Sequence, residues 1–463
     1  MGISKPIRID HPRNPYVTAA MGKTPNPTWL VVVCLAFATI AQAQNSPAGK
    51  YTGPGGCASS SCHGSIQARQ ITHVAQNEYS IWAAQDKHAR AYQVLSNPVS
   101  TRIGKILRLG RPDQAQKCLA CHALSVAPEQ RAESFELIDG VSCESCHGAA
   151  SGWLGPHTTR DWLHEKSVQL GMYDTRDLIK RSEGCLSCHL GTAEKFVDHE
   201  MIAAGHPDLT FELNLFSSVM PRHWKRSSDE GWRGVQEWGV GEAIQLQKGL
   251  ERLARRASSS TWPEYGELDC FACHHSLTKP EDSWRQELGY AGRKPGMPAW
   301  NASRYVVFRH LARKINADDA AQLDSDMAKL AVLLGQPGGS SQDIGATANR
   351  AAGVAAQVAR QLNARSYDQS FTISLMRAIA QDSESISAQG QRAAEQAVMS
   401  LDSLFVAYKQ NSKSENESEL REAINALFQQ LDNPSAYDAP RFAKQMQRVS
   451  IVLSRPDAQR ASQ

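Results

Sequence analysis

Five cysteine pairs in this chain are each followed at once by a histidine, and this repeat limits the possible fold more than any other feature. Four pairs have two residues between the cysteines, and the first pair has four. The five motifs are Cys57/Cys62/His63, Cys118/Cys121/His122, Cys143/Cys146/His147, Cys185/Cys188/His189 and Cys270/Cys273/His274. The pattern Cys-x-x-Cys-His is the attachment site of a c-type haem.

Covalent haem attachment explains every residue of the motif. Two cysteine thiols form thioethers with the porphyrin, and the histidine becomes the proximal ligand of the iron. On a helical turn, positions i, i+3 and i+4 share one face, so both sulfurs and the ring nitrogen can reach one haem edge. The longer spacing between Cys57 and Cys62 requires the backbone to bulge between the two sulfurs. The sequence therefore predicts five covalently bound c-type haems, with the motif histidines as proximal ligands.

Other uses of paired cysteines fit this pattern less well. Such pairs also occur in zinc sites and redox dithiols, and ten cysteines of an exported chain can form five disulfides. None of these roles requires a histidine after every second cysteine, and only 15 of the 463 residues are histidine. Chance agreement at all five motifs has a probability on the order of 10⁻⁸, which favours haem attachment.

The N-terminal region contains an export signal. Residues 29–40 are apolar but too short to span a bilayer comfortably, and they precede Ala41-Gln42-Ala43, a small-x-small cleavage pattern. We expect the mature chain to begin near Gln44 and to have lost the eleventh cysteine, Cys34, with the leader. The sequence therefore predicts an exported, periplasmic protein that is soluble after cleavage and has no stable membrane span in its mature chain.

The start of the leader and its charges lead to two further predictions. Met21 precedes a weak positive region at Lys23, so we interpret Met21 as the true start and residues 1–20 as an upstream extension. The full chain has a formal net charge of +3, but residues 1–43 hold four basic residues and one acidic residue. The mature polypeptide is therefore neutral, which argues against a nucleic-acid partner.

The positions of cysteine and histidine divide the mature chain in two. Residues 44–316 hold every haem cysteine and every mature histidine, whereas residues 317–463 have neither type. The first segment is predicted to be a cytochrome domain of short helices and long loops, whose apolar core is supplied by porphyrins, with a longer helix near 241–256. Apolar residues at helical spacing, such as Leu323 and Met327, predict a bundle of about five or six helices without haem in the second segment. The predicted fold class is therefore mainly α.

Nine histidines of the mature chain lie outside the motifs, and they are candidates for the second axial position of each iron. Iron with two histidines is saturated and transfers electrons, whereas an open position can bind a substrate. The candidate distal ligands are His88, His157, His199, His206, His73 and His223. We interpret His164 and His310 as surface or supporting groups, and His275 as a weaker candidate that could face a neighbouring haem.

Three segments carry a family resemblance. They are Tyr51-Thr-Gly, the stretch from Trp82 to Tyr92, and the stretch from Gly140 to Gly148 with the later His157. They resemble the multihaem cytochrome c family of the c-552/c-554 type, typified by the tetrahaem cytochrome that accepts electrons from hydroxylamine oxidoreductase. The resemblance covers roughly residues 50–210.

This resemblance implies a mostly helical fold with closely stacked haem pairs, and distal-ligand roles for His88 and His157. The chain differs from the family pattern in its fifth motif, its long insertion at 190–269 and its helical C-terminal segment. These differences leave its redox partners unidentified.

Two classes of function fit the sequence. Five haems within residues 57–274 would lie close together, and the protein would fix their spacing, axial ligands and surroundings. We therefore expect an electron carrier between redox proteins. The alternative is an oxidoreductase that acts on a small nitrogen or sulfur compound at one haem with an open distal position. No motif has lysine in place of histidine, the arrangement typical of pentahaem nitrite reductases, and this favours the carrier.

We expect the mature protein to carry five covalent haems and no free thiol, because all ten of its cysteines belong to motifs. Intact mass under denaturing conditions, combined with thiol titration, measures both quantities. A mass with four haems, together with two titratable thiols at Cys57 and Cys62, would contradict the assignment of the first motif.

Overall fold

The structure is a computed structural model that describes residues 49–70, 74–225, 231–270, 274, 300–336, 338–412 and 416–455. These residues form helices and connecting loops, and their β-type pairings are two isolated bridges. The prediction of a mainly α fold is therefore confirmed. The leader, His73, Cys273 and His275 lie outside the described residues.

Short helices separated by loops and 3₁₀ turns make up the described chain up to residue 225. They are α1 (Glu78–Gln85), α2 (Pro98–Ile106), α3 (Gln116–His122), α4 (Cys143–His147), α5 (His164–Gln169), α6 (Leu178–His189), α7 (His199–Ala203) and α8 (Leu213–Val219). Buried apolar side chains of the described residues form two clusters. The smaller one lies in this part of the chain and consists of Leu95, Cys118, Leu119 and Ala123. Its size fits the expectation that porphyrins supply much of the apolar core in this region.

Further helices follow from residue 233 and pack together. They are α9 (Arg233–Ala257), α10 (Ser303–Val306), α11 (Phe308–Ile315), α12 (Ala317–Leu334), α13 (Ser341–Ala364), α14 (Gln369–Gln381), α15 (Ser383–Ala388), α16 (Gln391–Asn411), α17 (Glu417–Gln429) and α18 (Ala439–Ser454). Leu323 and Met327 are buried, as their helical spacing predicted. No described helix is both long enough and apolar enough to cross a membrane.

Polar side chains define where several of these helices begin. Asn316 accepts hydrogen bonds from the first backbone amides of α12, Ser340 does so for α13, and Asp368 does so for α14. Such caps satisfy amides that have no partner within the helix. The first residues of these helices are therefore set by the local sequence.

Helix α9 connects the haem motifs to the C-terminal helices. It packs against α6, which ends in the fourth motif, and against α13, and its residues Trp238 and Leu250 are fully buried. One hydrophobic core thus extends from Leu178 to Leu453. The predicted boundary at residue 317 remains a prediction about independent folding, and the helices on its two sides share this core.

A buried carboxyl on α9 makes stability depend on pH. Glu242 is 1 % exposed; its Oε1 accepts a hydrogen bond from Gln396 Nε2 at 2.5 Å, and its Oε2 is buried without a partner among the described residues. Burial, with a smaller effect from the Glu212 carboxylate, raises the pKa of Glu242 well above its usual range. When the pKa of a carboxyl is higher in the folded state than in the unfolded state, the free energy of unfolding decreases as the pH rises above the unfolded-state pKa.

We expect Glu242→Gln to remove this loss, because the amide stays neutral at every pH. The variant should gain stability over the wild type as the pH rises from about 5 to about 8, by at most about 1.4 kcal/mol per pH unit. Thermal unfolding of the holoprotein at both pH values measures the difference, and Glu422→Gln at an exposed site of α17 is the control. A difference that does not grow with pH would contradict the prediction.

Candidate haem-binding centres

Helical turns position the groups of the haem motifs. The second motif ends α3, the third forms α4 and the fourth ends α6, so their cysteines and histidine share one helix face, as predicted. In the fifth motif, His274 N donates to Cys270 O at 2.7 Å, which is the spacing of a helical turn.

The first motif has a different backbone. Cys62 N donates to Ser59 O at 2.8 Å, and His63 N donates to Cys57 O at 3.2 Å. These bonds close a turn over the four residues that separate the cysteines. This turn is the backbone bulge that the longer spacing predicted.

Four of the five motif histidines lie opposite a second histidine at a nearly constant distance. The ring centroids are 6.2 Å apart for His63 and His157, 6.1 Å for His189 and His88, 6.3 Å for His122 and His206, and 6.1 Å for His274 and His199. Imidazole–metal bonds of about 2 Å, with each ring centroid about 1 Å behind its nitrogen, would place two axial rings of one iron about 6 Å apart. Ordinary ring contacts also span this distance, but every pair here joins one motif histidine to one free histidine. The spacing therefore fits a haem iron between the two rings of each pair.

The hydrogen bonds of these rings leave their Nε2 atoms available for a metal. In five of the eight rings, Nδ1 is bonded to a carboxylate or a backbone carbonyl, as in many metal-bound histidines. The bonds are His63 to Glu78 (2.9 Å), His88 to Asp86 (2.9 Å), His122 to Ala91 O (2.9 Å), His157 to Leu154 O (2.5 Å) and His206 to Pro207 O (2.8 Å).

His164 and His310 show the opposite arrangement. Nε2 of His164 is bonded to Asp174 at 2.9 Å, and Nε2 of His310 is bonded to Asp382 at 2.8 Å. Neither ring lies against a motif histidine among the described residues. Both rings therefore use the nitrogen that a haem iron would need, which fits their interpretation as surface or supporting groups.

The third motif histidine, His147, has no ring opposite it among the described residues. Burial lowers the pKa of His147 to about 4, and His223 is the first of the neighbouring charges that add to this effect. The neutral ring that results is the form that binds a metal. Nδ1 of His223 lies 3.3 Å from the Pro221 carbonyl oxygen. This contact does not involve Nε2 of His223, the nitrogen that would bind an iron. His73, the remaining distal candidate, lies outside the described residues.

Thiols of different motifs approach one another. A hydrogen bond between the thiols of Cys57 and Cys143 lowers the pKa of Cys57 to about 7 and raises that of Cys143. A second hydrogen bond between thiols, those of Cys121 and Cys188, lowers the pKa of Cys188 to about 5 and raises that of Cys121. Lys195 Nζ lies 3.3 Å from Cys188 Sγ. The first motif therefore adjoins the third, and the second adjoins the fourth.

Sequence analysis missed the role of Glu144, which lies inside the third motif. Glu144 is 2 % exposed and accepts hydrogen bonds from Thr52 N at 2.9 Å, Gly53 N at 2.7 Å and Ala150 N at 2.7 Å. A buried carboxylate with three backbone donors is strongly held, and it joins the segment before the first motif to the third motif. The signal in the sequence was an acidic residue between two haem cysteines.

Residues 57–148 match the family model described as cytochrome c554 and c-prime. The matched segment contains the first three motifs and His88. This match supports a multihaem cytochrome c family, with covalently bound c-type haem and a role in electron transfer. No curated protein sequence and no solved structure matches the chain.

Replacing His157 by alanine tests the ring pairs. We expect one haem of the holoprotein to become high-spin, because the iron beside His63 would lose its second imidazole while its thioethers persist. The potential of that haem should rise, since imidazole donation stabilises ferric iron. Electron paramagnetic resonance, redox titration and intact mass measure these changes.

His164→Ala is the matched control, because its Nε2 is bonded to Asp174. This variant should keep the wild-type spectrum. A high-spin haem in the control, or an unchanged spin state in His157→Ala, would show that the pairing is wrong.

Proposed function

We propose that this protein is an exported, periplasmic cytochrome that holds five c-type haems and transfers electrons between two redox proteins. The observation that carries the proposal is the set of four histidine pairs, each with one motif histidine, at 6.1 to 6.3 Å. An iron with two imidazole ligands has no free coordination position, so such a haem transfers electrons without binding a substrate.

In this proposal the ten motif cysteines attach the porphyrins, and the free histidines complete the iron coordination. The distal ligand is His157 for the first haem, His206 for the second, His88 for the fourth and His199 for the fifth. The third iron, held by His147, has two remaining candidates, His223 and His73.

Contacts between motifs support an order of the haems in space. The thiol contacts join the first motif to the third and the second to the fourth. Helix α4, which forms the third motif, contacts α6, which ends in the fourth. Burial raises the pKa of Cys146 to about 12, and the charges of both fourth-motif cysteines add to the shift. An ion pair between Lys117 and Asp198 joins α3 to the start of α7, which carries His199. The proposed electron route is therefore first, third, fourth, second and fifth haem.

One observation favours the alternative function, an oxidoreductase for a small nitrogen or sulfur compound. His147 is the one described motif histidine without a second ring opposite it. If the third iron had an open position, a ligand could bind there, and His223, the first of the neighbouring charges that act on His147, would be a candidate to exchange a proton with it.

Spin state separates the two functions. A carrier with two histidines on every iron should be wholly low-spin and should not bind carbon monoxide readily when reduced. The enzyme alternative requires one high-spin haem that takes up the ligand. Electron paramagnetic resonance and carbon monoxide difference spectra of the intact holoprotein measure this directly, and one ligand-binding haem in the wild type would overturn the simple carrier.

In a low-spin protein, His73→Ala and His223→Ala identify the ligand of the third iron. Only the variant that loses the true ligand should acquire one high-spin haem, while the other should keep the wild-type spectrum. Intact mass shows that both retain their haems.

A further inference from the structure

A buried arginine near the fifth motif has no hydrogen-bond partner for two of its nitrogens. Arg304, on α10, is 7 % exposed, and its Nε and Nη1 atoms are buried without a partner among the described residues. A guanidinium stays protonated in proteins, so burying it without an anion is costly. Burial lowers the pKa of Arg304 to about 9, which still leaves the side chain cationic at neutral pH.

Neighbouring charges do not neutralise Arg304. Arg252 Nε lies 2.6 Å from Glu267 Oε1, and Arg256 Nη2 lies 3.0 Å from Glu264 Oε2. After burial, the charge of Arg252 is the largest effect on Arg304, and the opposing attraction of Glu267 is smaller. Among the described residues of this cluster, three arginines therefore face two glutamates, and one positive charge remains without a counterion.

The chain makes room for this arginine. A Cβ atom at Gly249 of α9 would lie 3.0 Å from Arg304 Cδ and 3.5 Å from its Nε. The side chain thus packs closely against α9, and a side chain at position 249 would require Arg304 to shift by a few tenths of an ångström. The site therefore encloses a buried cation that has no anion among the described residues.

The backbone ties Arg304 to the fifth haem motif. Leu268, two residues before Cys270, forms a bridge with Trp300, and Asn301 N donates to Glu267 O at 3.0 Å. The segment that leads into α10 is therefore paired with the segment that leads into the motif.

A second contact ties the same cluster to the proposed distal ligand of the fifth iron. Glu264 Oε1 accepts a hydrogen bond from His199 N at 2.9 Å, and the ring of His199 lies opposite His274. Arg392 also lies here, but it is already paired with Asp208 and donates to Leu268 O at 3.1 Å. Of the arginines that the structure describes in this region, Arg304 is thus the cation without a paired anion.

We propose that Arg304, supported by Arg252 and Arg256, binds a propionate carboxylate of the fifth haem. Each c-type haem retains two propionates, and the planar guanidinium suits a carboxylate through two parallel hydrogen bonds. One propionate would supply the missing negative charge. The inference rests on the proposed fifth haem. A free oxyanion such as nitrite or sulfite is the other group that would supply a negative charge to Arg304.

Redox titration of the holoprotein tests this assignment. In Arg304→Gln the potential of one haem should fall, because removing a nearby positive charge favours the more positive ferric state. Arg304→Lys, which keeps the charge, should leave that potential closer to the wild-type value. Glu267→Gln removes an anion from the same cluster, so it should raise the potential of the same haem and gives a second test if Arg304→Gln does not fold.

Arg350→Gln is the matched control, since Arg350 pairs with Asp326 in the C-terminal helices. It should shift none of the potentials. Unchanged potentials in Arg304→Gln and Glu267→Gln, in a protein whose intact mass shows five haems, would overturn the propionate site and leave the proposed function standing. A wild-type mass without the fifth haem would overturn both.

Two further measurements identify the anion. In a Cys270→Ala/Cys273→Ala background, which lacks the fifth attachment, Arg304→Gln should shift none of the remaining potentials; a surviving shift would assign Arg304 to another haem. Calorimetric titration of the wild-type holoprotein with nitrite and with sulfite should show no binding that depends on Arg304. Binding that Arg304→Gln abolishes would replace the propionate by a free oxyanion.

Discussion

The distance between opposing imidazole rings is the physical constraint on which the haem region depends. Each of the four pairs joins residues far apart in the chain, such as His63 with His157 and His122 with His206. The ring centroids of each pair are 6.1 to 6.3 Å apart, a separation that fits one iron between them. Keeping this separation restricts the path of the chain that connects the two rings. The described residues of this region have one small apolar cluster of their own and no sheet. Ring pairs, the contacts between motif cysteines and buried carboxylates such as Glu144 therefore supplement this small cluster and the edge of the larger core that begins at Leu178.

The C-terminal helices contribute to this arrangement through α9. This helix shares a hydrophobic core with α6, where the fourth motif ends, and with the helices that follow residue 317. It also supplies Arg252 and Arg256, and it leaves space for Arg304 at Gly249. Helix α9, which carries no haem motif, thus positions charges beside the proposed fifth haem. Because a fixed charge in a buried site acts strongly on a nearby iron, this part of the chain can set a potential without touching the metal.

Sequence reasoning identified several candidate site residues and missed others. His88, His157, His199 and His206 were proposed as distal ligands, and each lies opposite a motif histidine. Which ring faces which could not be predicted, since that depends on the path of loops tens of residues long. Glu78 and Asp86 were missed as supporting groups, because a single acidic residue carries no periodic or spacing signal. Glu144 was marked only by its place between two cysteines of a motif. Arg304 was missed because a single arginine carries no such signal either.

The sequence by itself determined the helical class, and it predicts the attachment chemistry. Two thiols and an imidazole within five to seven consecutive residues are held together by local backbone geometry. Their motif can therefore be recognised from the sequence without knowledge of the tertiary structure. The helices of residues 317–463 are equally local, because caps and 3.6-residue periodicity act within a few turns. Only the tertiary structure decided which motifs adjoin, which histidines face each other and which charges remain unbalanced. These properties depend on groups from distant parts of the chain that meet in a buried, weakly screening interior, where one unpaired cation matters far more than it would in water.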